Sequence, residues 1–163
     1  MKRLIIGGII GGLIGIAAGF AVGIFVYPYI FLADIVAADQ APPAGQNEVV
    51  ATGQFVHVNP SDPIHYGQGT VTVYRDTVHL GFDFEVGPGP KFHVYLVPKA
   101  SVASANDVKT GMFVDLGRLR AFKGSQNYAV PAGVDLALYG SVVIWCAAFG
   151  VLISPATLIP GTS

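Results

Sequence analysis

The sequence predicts an all-β domain, β-sandwich-like and built of about seven or eight strands, preceded by one transmembrane helix. Three observations predict it. Leu4 to Ala33 is a run of thirty residues without a charge. From about Val50 onward the apolar residues recur with a period of two, the spacing of half-buried strands. No long amphipathic helix interrupts that pattern, and turn signals punctuate it.

The helix comes first. Leu4 to Phe25 is 22 residues, roughly 33 Å as an α-helix and long enough for a hydrocarbon core of about 30 Å. Tyr27 and Tyr29 fall at the exit, where aromatic side chains favour the interface. Pro28 between them disturbs a continuing helix. Lys2 and Arg3 precede the run, and Asp34 and Asp39 follow it. The positive-inside rule therefore places the N-terminus in the cytoplasm and the domain outside, as a single-pass membrane protein. A cleaved signal peptide has an apolar region of about 7 to 15 residues, shorter than this one. Val36-Ala37-Ala38 offers a cut site, but length favours a retained anchor. Gly7, Gly11, Gly15, Gly19 and Gly23 form one stripe, widened by Gly8 and Gly12. Such stripes let helices pack closely, so self-association stands beside the plainer reading of a glycine-rich apolar segment.

The organisation expected is an anchor over residues 1–36, a linker over 37–49 and one domain over 50–160. The linker reading rests on Pro42, Pro43 and Gly45 and on few large apolar residues. The domain, roughly 110 residues, is large enough for one core. From Val50 it carries seven Lys/Arg and seven Asp/Glu. That balance argues against a nucleic-acid partner or a lipid-headgroup patch.

The strands follow in order. Thr70 to Tyr74 alternates. In Thr77 to Val86, Val78, Leu80, Phe82, Phe84 and Val86 share one face, and His79, Asp83 and Glu85 the other. Lys91 to Val97 sets Phe92, Val94 and Leu96 against His93 and Tyr95. Thr52 to Val58, Phe113 to Leu119 and Gln126 to Val130 are weaker. Ser141 to Phe149 is apolar on both faces, as a central covered strand is. Ser101 to Thr110 reads as a helical turn or a loop.

No phosphate loop, HExxH, CxxC, CxxCH or zinc-spaced cysteine pair occurs. No local arrangement makes a Ser-His-Asp triad. These absences leave the enzyme question open and weigh toward a non-enzymatic role for the chain. Its one cysteine, Cys146, excludes an intrachain disulfide. Most free cysteines are buried small hydrophobes. A redox-active thiol needs a cation, a helix N-terminus or a metal beside the sulfur. His57, His79 and His93 read as exposed residues on polar strand faces. His65, in the loop Pro63-Ile64-His65-Tyr66-Gly67, could bind a ligand or metal, or fix the loop by hydrogen bonding.

Leu116-Gly117-Arg118-Leu119, Phe122-Lys123-Gly124-Ser125-Gln126-Asn127-Tyr128, Val130-Pro131-Ala132-Gly133-Val134-Asp135-Leu136, and Ser141-Val142-Val143-Ile144-Trp145-Cys146 with Phe149 behind it resemble the hallmarks of the DM-thirteen domain. His65-Tyr66-Gly67-Gln68-Gly69 and Phe82 to Pro90, leading into His93-Val94-Tyr95-Leu96, resemble the family's first half. The resemblance spans roughly Thr52 to Leu158. It departs at Lys91, where the family usually has an acid. It implies an extracytoplasmic β-sandwich-like domain discussed as a redox or electron-transfer module alongside haem-binding DOMON domains. Cys146 is then the redox centre, cycling through a thiolate and a sulfenate or mixed disulfide. His65, Trp145 and Tyr128 are the candidate binding residues, with Trp145 shielding the thiol and His65 lining its approach. The redox partner is expected to be a separate protein or small molecule. Haem or copper would enter with a partner, or at a site made from Cys146 and His65. The alternative is a non-catalytic surface module in which Cys146 only packs.

Overall fold

The computed structural model describes residues 1–43 and 48–161. Residues 44–47 of the expected linker lie outside the described residues. Helix α1 (Lys2–Tyr27) continues into a π-helical turn, Pro28–Leu32. A proline removes one N–H and crowds the carbonyl four residues back, and a widened turn absorbs both effects. No residue of α1 is buried, and its large side chains are exposed all round.

The domain is mostly β. Among the described residues its strands are β1 (Val36–Ala38), β2 (Val49–Phe55), β3 (Gly67–Tyr74), β4 (Thr77–Leu80), β5 (Glu85–Val86), β6 (Phe92–Val97), β7 (Val114–Arg118), β8 (Lys123–Ala129), β9 (Ser141–Cys146) and β10 (Val151–Pro160). They form one sheet in the order β1-β8-β4-β3-β2-β10-β9-β6-β7, with β5 on β3 and β8. Among the described residues only the β1–β8 pairing is parallel, so the sheet is mixed. Val78 and Leu80 of β4 share one core with Val94 and Leu96 of β6, although four strands separate them in the sheet. The sheet therefore curls around that core. Outside it, Tyr95, Val97, Val143 and Trp145 pack with Val102 and with Val108 of helix α2 (Ala105–Lys109). The helical-turn reading of this stretch holds: Ser104 caps α2, and its N–H donates to Asp107 at 2.9 Å.

The ten strands exceed the seven or eight expected, for three reasons. β10 carries Pro155 and Pro160, and proline argues against an interior strand. Here a bulge between Leu152 and Ser154 precedes Pro155, and the Pro155 carbonyl accepts from Val56 N–H at 3.0 Å. The run Thr77 to Val86 breaks into β4 and β5. Asp83, itself exposed, accepts from Thr70 N–H at 3.0 Å and Thr70 Oγ1 at 2.7 Å across the break, and Phe82 stands out at 89% exposure. β1 is the third addition. It follows the π-helical turn after only Ala33 to Ile35, in a stretch with no alternation to read. The expectation for His79 also changes: it is buried, donating from Nδ1 to Asn127 Oδ1 at 2.6 Å.

Asp39 locks β1 in place. Its carboxylate pairs with Arg120 and accepts from Asn127 N–H at 2.9 Å, and its own N–H donates to Ser125 O at 3.0 Å. The Arg120 guanidinium, followed by the Asn127 N–H, holds this carboxyl below its ordinary 3.8. A depressed folded-state value stabilises above the unfolded one and is lost as pH falls through the folded one. Hydrogen-exchange protection factors of β1 are therefore expected to be flat from neutral pH to about 4 and to drop below it. A protection factor for Asp39 N–H that does not change between those ranges would count against this lock.

Candidate functional site

Strand β9 ends at Cys146, whose residue is 3% exposed and whose thiol belongs to the main core. Its Sγ donates to the Pro90 carbonyl at 3.3 Å, and the next residue, Ala147, donates its N–H to Lys91 O at 3.0 Å. The end of β9 thus grips the Gly87-Pro88-Gly89-Pro90-Lys91 loop. Lys91 has φ 52, a left-handed backbone, and this grip helps hold it there.

The thiol also borders an apolar cavity of about 380 Å³ between the domain and the end of α1. Phe25, Val26 and Tyr29 form the α1 side, while His65, Pro90, Cys146 and Phe149 line the domain side. Phe149 sits in the β9–β10 turn and stacks on Phe25, with ring centroids 5.5 Å apart and planes 8° from parallel. The aromatic that carries part of the family resemblance is thus where the domain meets the helix.

His65 is fixed by Asp62. Its Nδ1 lies 2.7 Å from Asp62 Oδ2, and since a carboxylate only accepts, that nitrogen carries the proton. Asp62 also accepts from the N–H groups of His65 and Ile64 at 3.1 and 2.9 Å. These bonds, that of the His65 ring first, hold the Asp62 carboxyl down to about 2. The Asp62 carbonyl in turn accepts from His57 Nε2 at 2.8 Å. His93 is half-buried and donates from Nδ1 to Asp115 at 2.9 Å. His57 and His93 are therefore engaged in the fold, where exposed positions were expected.

The four candidate residues do not all meet. Cys146 and His65 line one cavity. Trp145 lies on the opposite face of β9, packed on Tyr95 at 6.3 Å between ring centroids, with Lys109 Nζ 5.9 Å from its own ring. It does not shield the thiol, because neighbouring residues on a strand point to opposite faces. Tyr128 is 5% exposed in the core, and its hydroxyl donates to Gln126 Oε1 at 2.8 Å, so it offers no binding surface. Burial raises the Tyr128 phenol above its ordinary value. Among the described residues no three His, Cys, Asp or Glu side chains gather at metal-binding range. Sequence reasoning missed Pro90, whose carbonyl takes the thiol, and Phe25, the helix residue across the cavity. Neither residue type signals such a role.

No curated protein matches the chain, and no solved structure does either. One family profile, described as Electron transfer DM13, matches residues 60–158. The match runs from just before the His65 loop to Leu158 in β10 and includes every strand that walls the thiol cavity on the domain side. It spans well over half of the 163 residues, and on that ground the chain belongs to the DM13 electron-transfer family.

Proposed function

We propose that this protein is a membrane-anchored, extracytoplasmic electron-transfer accessory module in which Cys146 is the redox centre and His65 lines its approach. The observation that carries the reading is the shared cavity: Cys146 and His65 border one apolar chamber closed on its other side by the exit of α1. A helix that is apolar all round and unburied needs a non-aqueous surround, and α1 is such a helix. Lys2 and Arg3 before it orient the N-terminus to the cytoplasm. Glycines of α1 would carry any pairing of copies, through Gly7, Gly11 and Gly15, since Gly19 and Gly23 face the domain.

The chemistry is a two-electron exchange at sulfur. A hydroperoxide delivers one oxygen to the thiol, its O–O bond breaks, and the products are the Cys146 sulfenic acid and an alcohol or water. A partner thiol condenses with the sulfenic acid, releasing water and leaving a mixed disulfide; a second thiol then restores Cys146 and carries away a disulfide. Both the oxidant and the thiol partner are separate molecules. The cavity walls are apolar, so an uncharged reagent is expected to reach the sulfur before a charged one.

The test is thiol titration of the folded full chain. N-ethylmaleimide is expected to label Cys146 before unfolding and faster than a cationic methanethiosulfonate. Peroxide treatment is expected to leave a dimedone-trappable sulfenate. No labelling until the protein unfolds would end the redox reading. The second reading, a non-catalytic surface module, has its own observation: the buried thiol donates to Pro90 O at 3.3 Å and so pins a loop. It expects Cys146→Ser to alter stability and to leave partner-dependent electron transfer intact.

A further inference from the structure

A second and larger cavity, about 800 Å³, runs along the other side of the α1 exit. Gly19, Phe20, Gly23 and Ile24 form one wall, and Phe92 and Phe122 stand opposite. A Cβ on Gly19 or Gly23 would meet nothing within 4 Å, so the helix wall is set back and the groove stays open. Its rim on the domain side carries Lys91, Arg118 and Arg120, and among the described residues no acidic side chain lines it. Arg120 is paired with Asp39, whereas Lys91 and Arg118 are exposed and have no ion-pair partner among the described residues. The fold assembles this rim. His93 of β6 pairs with Arg118 of β7, and Leu119 N–H donates to Phe92 O at 2.8 Å, which sets the two strand ends side by side.

The geometry points to a binding groove for one anionic phospholipid, its phosphate on Lys91 and Arg118 and its chains between α1 and the phenyl rings. This rests on the reading of α1 as a retained membrane anchor. Twenty residues from Leu4 end at Gly23 and cover about 30 Å, the thickness of the hydrocarbon core. The groove's helical wall is therefore the last turn inside the membrane and the first turn outside it. The cations beside it stand at headgroup level. Apolar walls with a cationic rim complement a lipid, which has both parts in that order. The even balance of charges along the domain hid this cluster, because balance in sequence does not prevent like charges from meeting in space.

The full chain in nanodiscs of mixed phosphatidylcholine and phosphatidylglycerol, released into detergent and weighed by native mass spectrometry, tests it. One phosphatidylglycerol is expected to stay bound in preference to phosphatidylcholine. Lys91→Glu with Arg118→Glu is expected to lower that retention by roughly tenfold, and the paired Gln variants by less. Lys109→Glu, outside the groove, should leave it unchanged. Equal retention in the double variant, no headgroup preference, or a second copy seated in place of the lipid would each overturn the proposal. The same spectrum separates causes: a chain missing its first residues would overturn the anchor reading and the groove with it, whereas a full-length chain without lipid preference would overturn the groove alone.

Discussion

Replacing Gln126 by leucine is expected to destabilise the domain by about 3–5 kcal/mol, read as a shift of the urea midpoint of the full chain in detergent. Gln126 is fully buried. Its Oε1 accepts from Arg120 N–H and Ala121 N–H, each at 3.1 Å, and from the Tyr128 hydroxyl at 2.8 Å. Its Nε2 donates to Ala121 O at 2.8 Å. Leucine fills similar space and removes every one of these bonds. Arg120 N–H keeps Tyr128 Oη at 3.3 Å, but both backbone groups of Ala121 and the Tyr128 hydroxyl proton lose their partners. An unsatisfied buried group costs about 1–3 kcal/mol, so three of them dominate any gain from the added apolar surface. Tyr128→Phe is the internal contrast. It deletes one member and leaves Gln126 three bonds, so about 1 kcal/mol is expected. Equal losses in the two variants would mean that the amide is not the hub.

The same residues show what could be read before the structure. Lys123-Gly124-Ser125-Gln126-Asn127-Tyr128 is recognisable by resemblance, and Tyr128 in it is a candidate binding residue. In the fold it is a structural device: Gly124 admits β1, Gln126 and Tyr128 satisfy the turn at Ala121, and Asn127 holds His79 and Gln40. The period-two pattern located β3, β4 and β6, and the doubly apolar run located β9, because side-chain alternation is a local property. β10 was hidden by prolines, and β1 by a pairing with residues far along the chain. Of the site, Cys146 and His65 could be nominated by residue type, but their shared cavity depends on α1, which no local pattern places. The position of Trp145 was legible in principle: next to Cys146 on a strand, it had to face the other way. Lys91 stood out as a departure from the family pattern, yet only β7 brings Arg118 beside it.

Gly124→Ala is the change expected to uncouple the helix from the domain. Gly124 has φ +84, and an added Cβ would lie 2.1 Å from the Ala37 carbonyl oxygen and 2.7 Å from Val36 Cγ1. Alanine in the left-handed region costs roughly 1–2 kcal/mol by itself. The collision is with backbone, so no rotamer relieves it. One of the two strands must move, and β8 is held by β4 while β1 is a three-residue edge. β1 is therefore expected to leave, taking the Asp39 bonds with it, for a total loss of about 2–4 kcal/mol. Hydrogen exchange would show this as lost protection at Asp39 N–H with β3 and β9 still protected. The consequence reaches the thiol. Only Ala33 to Ile35 separate the π-helical turn from β1, so with β1 free the helix end is held to the domain mainly by Phe25 on Phe149 and by Leu32 on the core. The wall made by Phe25, Val26 and Tyr29 then opens, and maleimide labelling of Cys146 should accelerate. Lost β1 protection with an unchanged labelling rate would show that α1 does not gate the thiol, and the access route would have to lie on the His65 side of the cavity.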